Sequence, residues 1–115
     1  MSYIGITMSH FLFIQSQDPF TEVATSRQYQ LAAELAKAGN QVQVLLVQNG
    51  VIPARKGANC PAFDALLASS VSVLADEFAL RQREFGENHL RDGVQPAEIG
   101  LVVDAMLAGH KVIWN

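Results

Sequence analysis

The chain has 115 residues, of which 50% are hydrophobic and 17% are charged, and its formal net charge is −3. This length suits a single domain, residues 1–115, built around one core. Because its cations are few and scattered, the composition excludes nucleic acid as an expected partner. The high apolar share predicts that part of the surface is covered by another subunit.

Cysteine use and the first residues of the chain bear on its compartment. The chain has one cysteine, so no disulfide forms within it. The start, MSYIGITMSHFLFI, lacks the basic segment and small-residue cleavage site of a signal peptide. Its apolar run, residues 11–14, is too short to span a membrane. We therefore expect a cytoplasmic protein with no membrane association.

The first half of the chain has the pattern of a strand–helix–strand unit. The apolar run of residues 11–15 predicts a buried strand. Asp18 followed by Pro19 predicts a helix start with Asp18 as the N-cap, and the segment 37–40 (KAGN) predicts the helix end. Residues 41–47 (QVQVLLV) predict the second strand.

The second half continues the alternation after a loop over residues 48–59. The pattern predicts further elements in the order helix 61–69, strand 71–75, helix 76–85, a possible strand within 90–94, helix 96–109 and strand 111–114. The helix 96–109 is expected to present one apolar face: Ile99, Val102, Val103 and Met106. The predicted fold is a three-layer α/β/α sandwich around a mostly parallel sheet of roughly five strands.

Cys60 is the first candidate functional residue, because it directly precedes Pro61 and is predicted at the N-cap of a helix. Unpaired backbone N–H groups, the helix dipole and the nearby Arg55 and Lys56 would favour a reactive thiolate there. The alternative is a buried, inert cysteine. Without a second cysteine, the chemistry open to a reactive Cys60 is a persulfide or a mixed disulfide with a partner.

Asp76 and Arg81 form a second candidate site with Asp18. Asp18 follows the first predicted strand and Asp76 the third, so both are expected near the carboxyl edge of the sheet, where ligands bind. The alternative for the helix after Asp76 is a solvated face with an ion pair between Glu77 and Arg81.

No metal site or cofactor is expected from the sequence. The histidines at positions 10, 89 and 110 are far apart in sequence, and none has a second ligand at helical spacing. There is no GxGxxG fingerprint and no Walker A motif to indicate a nucleotide cofactor.

Three segments carry a family resemblance. AKAGNQVQVLLVQNGV, SSVSVLADEFALRQREF and LVVDAMLAGHKVIWN resemble, in order and spacing, the DsrE/DsrF-like sulfur-relay family, which includes TusBCD subunits and YchN-like proteins. The resemblance covers nearly the whole chain. It implies a DsrEFH-like fold and assembly with itself as a homotrimer or homohexamer.

The chain departs from the family at the position of the relay members' active cysteine. Relay members carry a cysteine just after the third strand, where this chain has Leu74, Ala75 and Asp76. Persulfide transfer by the family's usual route therefore does not carry over to this chain. We expect a protein associated with intracellular sulfur metabolism, with other sulfur-relay proteins as partners and with Cys60, which is not at the family's position, as the candidate sulfur acceptor. The alternative is a non-catalytic subunit that binds a small ligand or serves assembly.

Overall fold

Within residues 8–115, which the computed structural model describes apart from the side chain of Glu87, five parallel strands form one sheet. The strands are β1 (His10–Gln15), β2 (Gln41–Leu46), β3 (Ser72–Asp76), β4 (Val94–Ala97) and β5 (Lys111–Trp114). The α-helices are α1 (Val23–Lys37), α2 (Pro61–Ala68), α3 (Glu77–Gln82) and α4 (Gly100–Leu107). Short 3₁₀ helices lie at Gln48–Ala54 and Glu87–His89.

The strand order across the sheet is β4-β3-β2-β1-β5. β1 pairs with β2 along its whole length and with β5 on its other side. The chain therefore adds β2, β3 and β4 in one direction and then crosses back to place β5 beyond β1. This reversal of winding between β1 and β5 marks the region where open parallel sheets bind ligands.

Alternating side chains of the strands divide the core into two layers. On the first face, Phe13 and Val44 pack in a cluster with residues of α1, α2 and α3. On the second face, Leu12 and Leu45 pack with Val102 of α4. Strand residues buried on both faces explain the near-continuous apolar runs in the sequence. The predicted three-layer α/β/α sandwich is confirmed.

The start of α1 differs from the prediction. The helix begins at Val23, with Glu22 as its N-cap, and not after Asp18. The Asp18 carboxylate instead accepts hydrogen bonds from the backbone N–H groups of Phe20, at 2.8 Å, and Thr21, at 3.0 Å. Because this carboxylate closes a separate turn, the helix starts one turn later than predicted.

The helix after β3 is shorter than the predicted 76–85 and ends at Gln82. The N–H of Phe85 donates to the carbonyl oxygen of Leu80 at 2.9 Å, and Glu84 between them has a φ of 57°. This is the pattern of a Schellman motif, which closes a helix with a left-handed residue. The sequence did not indicate this helix end, because the left-handed position is usually a glycine and here is a glutamate.

The segment 94–109 also divides differently from the prediction. A strand was expected within residues 90–94 and a helix from Pro96, whereas Pro96 lies inside β4 and α4 begins at Gly100. β4 is an edge strand of the sheet. A proline is tolerated in an edge strand because, on the side that faces solvent, no neighbouring strand needs a hydrogen bond from its N–H group.

The apolar residues of α4 occupy both sides of the helix. Val102 is buried against the sheet, whereas Ile99, Val103 and Met106, predicted on the same face, are exposed. Most of the predicted apolar face is therefore open to solvent, and the outer side of α4 is an exposed apolar surface. Across the described residues, no helix has both the length and the apolar character to cross a bilayer.

A close backbone contact fixes the 3₁₀ helix Gln48–Ala54 within the segment predicted as a loop. Gly50 lies so near β1 that a Cβ atom would overlap the carbonyl oxygen of Gln15. The same oxygen accepts a hydrogen bond from the N–H of Val47 at 2.9 Å, and the carbonyl of Val47 accepts from Gly50 at 2.8 Å. This contact sets the position of the chain where it leaves β2.

Candidate functional site

A cleft opens at the carboxyl edge of the sheet, where β1, β2, β3 and β5 end. Its volume is about 350 Å³. The polar and aromatic side chains in its walls belong to Ser16, Gln48, Asp76, Phe78, Gln82 and Trp114. The cleft therefore lies at the edge, and beside the reversal of winding, where the fold type binds its ligands.

Asp76 supplies the buried charge of the cleft. It is both the last residue of β3 and the N-cap of α3, and its Oδ2 accepts a hydrogen bond from the N–H of Ala79 at 3.1 Å. The residue is only 8% exposed. Its Oδ1 makes no hydrogen bond to another described residue and is not one of the fully buried polar atoms that lack a partner. That oxygen is therefore available to a ligand.

Polar contacts join the end of β1 to the end of β5 beside the cleft. The N–H and Oγ of Ser16 both donate to the carbonyl oxygen of Asn115, at 3.0 and 2.8 Å. The Asn115 amide nitrogen donates to Oε1 of the buried Gln15 at 3.0 Å. We call Gln15, Ser16 and Asn115 the β1–β5 clasp. Sequence reasoning missed it, because only the pairing of these strands brings the residues together.

Two aromatic side chains in the cleft walls are largely open to solvent. Phe78 is 59% exposed and Trp114 is 64% exposed. Phe78 belongs to the first turn of α3, and Trp114 is placed by the pairing of β5 with β1, opposite Ile14. The sequence signal for Trp114 was a large aromatic residue at the carboxyl end of a strand.

Cys60 occupies the predicted N-cap of α2, with Pro61 in the first helical position. It is only 6% exposed and belongs to the core cluster on the first face. Its thiol makes no hydrogen bond that caps the helix. The local helix start was predicted correctly, and the burial of the sulfur was the alternative left open by the sequence.

Tyr29 of α1 lies in the same core cluster as Cys60. Its side chain is almost fully buried, and its hydroxyl has no hydrogen-bond partner among the described residues. Burial, and then the nearby Cys60 and Asp18, raise the pKa of Tyr29 above its ordinary value. Each of these causes disfavours the charged phenolate. Sequence reasoning missed this uncharged, unpaired hydroxyl near the cysteine.

The predicted cations lie away from the cleft. The guanidinium of Arg55 stacks over the ring of Phe85 at 5.4 Å, and Lys56 lines a separate groove. Arg81 lines another groove, beside Phe85. Within the described residues it makes no ion pair with Glu77, and the ion pair found there joins Arg91 to Asp64. Of the predicted set Asp18, Asp76 and Arg81, the cleft contains only Asp76.

Two of the histidines meet in space although they are distant in sequence. The rings of His10 and His110 stack with centroids 4.6 Å apart. Within the described residues, no group of three or more histidine, cysteine or carboxylate side chains is arranged to hold a metal ion.

Comparisons with known proteins identify the fold. No family model matches the sequence, and no curated protein matches it. The structure superimposes on the ychN protein from E. coli with a TM-score of 0.79 at 16% identity, covering 95% of this chain and 100% of that one. The chain has the DsrE/YchN-like fold.

Two proteins of unknown function share the DsrE/YchN-like fold with this chain. MTH1491 from Methanobacterium thermoautotrophicum gives a TM-score of 0.75 at 18% identity, covering 95% of this chain and 100% of that one. BT1422 from Bacteroides thetaiotaomicron gives 0.70 at 13% identity, covering 91% and 94%. The structural part of the sequence resemblance is therefore confirmed.

Proposed function

We propose that this chain is a non-catalytic subunit that binds a small polar ligand in the cleft at the carboxyl edge of its sheet. The observation that carries the proposal is the Asp76 carboxylate, buried at the end of β3 with one oxygen left open to the cleft. Its other oxygen is held by the N–H of Ala79, so the group is fixed in place before a ligand arrives. A fixed acceptor in a concave site suits recognition.

The volume and the walls support binding of a small molecule. About 350 Å³ is at the lower end of the range for ligand pockets. Gln48 and Gln82 add amide groups, and Phe78 and Trp114 add apolar surface. The described lining residues include no nucleophile with an adjacent base, since the hydroxyl of Ser16 already donates to the carbonyl oxygen of Asn115. The lining therefore favours binding over covalent chemistry.

The proposal is tested by an NMR screen with small polar molecules. Trp114 is the only tryptophan in the chain, so its indole N–H signal reports on the cleft alone. We expect some compounds to shift this signal in the natural protein. Gln82→Phe, which fills the cleft from an exposed position, should abolish the shifts, whereas Gln30→Phe on the exposed side of α1 should keep them. Shifts that persist in Gln82→Phe, or no shifts at all, would contradict the proposal.

A second candidate function is sulfur transfer through Cys60 in sulfur metabolism, with other sulfur-relay proteins as partners. Its support is the N-cap position of Cys60 and the unpaired hydroxyl of Tyr29 close to it. In this reaction the Cys60 thiolate attacks the sulfane sulfur of thiosulfate. The new S–S bond forms as the bond within thiosulfate breaks, sulfite leaves, and a persulfide remains on Cys60.

Because Cys60 is buried, this second candidate requires that sulfur donors still reach its thiol, and that access can be measured. Thiosulfate or polysulfide treatment of the native protein should add one sulfur atom to its intact mass, and Cys60→Ser should prevent the gain. The rate of alkylation of the native thiol measures its access independently. No adduct together with slow alkylation would exclude Cys60 as a sulfur acceptor and leave it as a core residue.

The exposed apolar side of α4 supports assembly with further copies of this chain, as a homotrimer or homohexamer. Val103, Met106 and Leu107 project from it, and a patch of this kind is usually covered in soluble proteins. Sedimentation velocity should therefore detect an oligomer. Leu107→Glu should dissociate it, whereas Gln30→Glu on α1 should not. A stable monomer would contradict this assembly.

A further inference from the structure

We propose that the ligand of the cleft is a small organic cation, whose ammonium group binds Asp76 and whose apolar or aromatic body lies on Phe78 and Trp114. The inference rests on the proposed function, since it assigns a chemical class to the ligand of the same cleft. It starts from the charge of the cleft walls. Among the described residues that line the cleft, only Asp76 has an ionisable side chain.

The surroundings of the cleft are also negative. A second groove of about 430 Å³ has Glu77, Glu98 and Asp104 in its walls, and Glu77 directly follows Asp76 in the chain. Among the residues described, no lysine or arginine lines either cavity. Carboxylates of one sign along a concave surface attract cations and repel anions.

Arg83, which directly follows α3, is already engaged elsewhere. Arg83 donates through Nη1 to the carbonyl oxygen of Ala79, at 3.2 Å, and through Nη2 to Oδ1 of Asn49, at 2.7 Å. Its guanidinium is therefore fixed on other acceptors and does not neutralise Asp76. The open Oδ1 of Asp76 lacks a cationic partner within the described chain.

An ammonium group matches the remaining acceptors of the cleft. It presents three N–H donors, and Asp76 offers one charged acceptor while Gln48 and Gln82 each offer an amide oxygen. The exposed aromatic rings of Phe78 and Trp114 provide faces that attract a cation and apolar area for the body of the ligand.

An anionic ligand would find few free hydrogen-bond donors in the cleft. The N–H of Ala79, at the start of α3, is already bound to Asp76, and the hydroxyl proton of Ser16 is bound to Asn115. The side-chain donors that remain in the walls are the amide groups of Gln48 and Gln82 and the indole N–H of Trp114, and all of them are uncharged. An anion would therefore sit beside the Asp76 carboxylate without a compensating positive charge.

Three probes of similar shape and different charge test the inference: 2-phenylethylammonium, 2-phenylethanol and phenylacetate. Each is titrated at pH 7 against the full chain, and the fluorescence of Trp114 is recorded. We expect the ammonium to bind at least about tenfold more tightly than the alcohol, as is typical of a hydrogen bond to a charged group. Phenylacetate should bind more weakly than the alcohol.

The variant Asp76→Asn isolates the charge, because asparagine is also a good N-cap and can accept from Ala79. It should remove the advantage of the ammonium over the alcohol. The matched control Asp92→Asn, at an exposed carboxylate in a separate groove, should keep the advantage. The comparison of probes on the natural protein stands even where a variant fails to fold.

The outcomes separate the ligand class from the proposed function. Equal binding of the alcohol and the ammonium, or tighter binding of phenylacetate, overturns the cation inference and leaves a ligand-binding cleft. No saturable change with any probe also overturns the cation inference, and the Trp114 NMR screen then decides independently whether the cleft binds ligands at all.

Discussion

Replacement of Gly50 by alanine should disrupt the turn that forms one wall of the cleft. The added Cβ would overlap the carbonyl oxygen of Gln15, lie 3.0 Å from its carbonyl carbon and lie 3.5 Å from the Cα of Ser16. All three are backbone atoms at or directly after the end of β1, an interior strand of the sheet. They cannot rotate away as a flexible side chain does, so either β1 or the turn must move.

The magnitude follows from two losses. Forced overpacking typically costs about 1–3 kcal/mol. Displacement of the turn also weakens the hydrogen bond between the Val47 N–H and the Gln15 oxygen, which contributes about 1 kcal/mol. We expect Gly50→Ala to lower the free energy of unfolding by about 2–4 kcal/mol.

Urea unfolding followed by far-UV circular dichroism measures this change, with Gly100→Ala as the matched control. Gly100 begins α4, and a Cβ there would meet no atom within 4 Å. Alanine at that position should be neutral or stabilise the protein by up to about 1 kcal/mol. A loss below about 1 kcal/mol for Gly50→Ala, or equal losses in both variants, would refute the reasoning.

Three further expectations concern buried and exposed polar groups. Tyr29→Phe should raise the free energy of unfolding by about 1 kcal/mol, because it removes a buried hydroxyl without a partner. Because the pKa of Tyr29 is raised in the folded state, the folded protein keeps the phenol proton at pH values where the unfolded chain loses it. The free energy of unfolding should therefore be unaffected by this group below about pH 10 and fall as the pH rises further, by at most about 1.4 kcal/mol per pH unit. Urea titrations from pH 9 to 11 should show a shallower decline in Tyr29→Phe, and equal slopes would contradict the burial argument. Asp76→Ala should lower the melting temperature by removing about 1 kcal/mol of capping, whereas Asp76→Asn should stay close to the natural protein; equal melting temperatures for the two variants would show that the cap contributes nothing. Asp64→Asn, which breaks the partly exposed ion pair with Arg91, should change the free energy of unfolding in urea by less than about 1 kcal/mol, and a larger loss would assign this pair a structural role.

The elements of the sheet could be predicted from the sequence because buried parallel strands leave apolar runs between helix caps. β1, β2 and β3 lie within one residue of their predicted bounds. Where the prediction failed, a local signal had two physical uses. Pro96 suits the first turn of a helix and also an edge strand, and Asp18 suits an N-cap and also a separate turn.

The candidate site was only partly predictable. Asp76 could be found because it follows a predicted strand, and the carboxyl ends of parallel strands share one edge. Trp114 and the β1–β5 clasp could not, because their positions depend on the strand order β2-β1-β5. Cys60 was placed correctly at a helix start, but its burial depends on packing against α1, which no local pattern encodes.

The way in which β5 is held couples the edge of the sheet to the cleft. At its beginning the ring of His110 stacks on His10, and at its end Asn115 is held by the clasp, while the strand itself is partly exposed. These contacts hold β5, an edge strand, at both ends and so fix the position of Trp114. A ligand that binds only with Trp114 in place would stabilise the pairing of β5 with β1 and slow hydrogen exchange of the β5 amides.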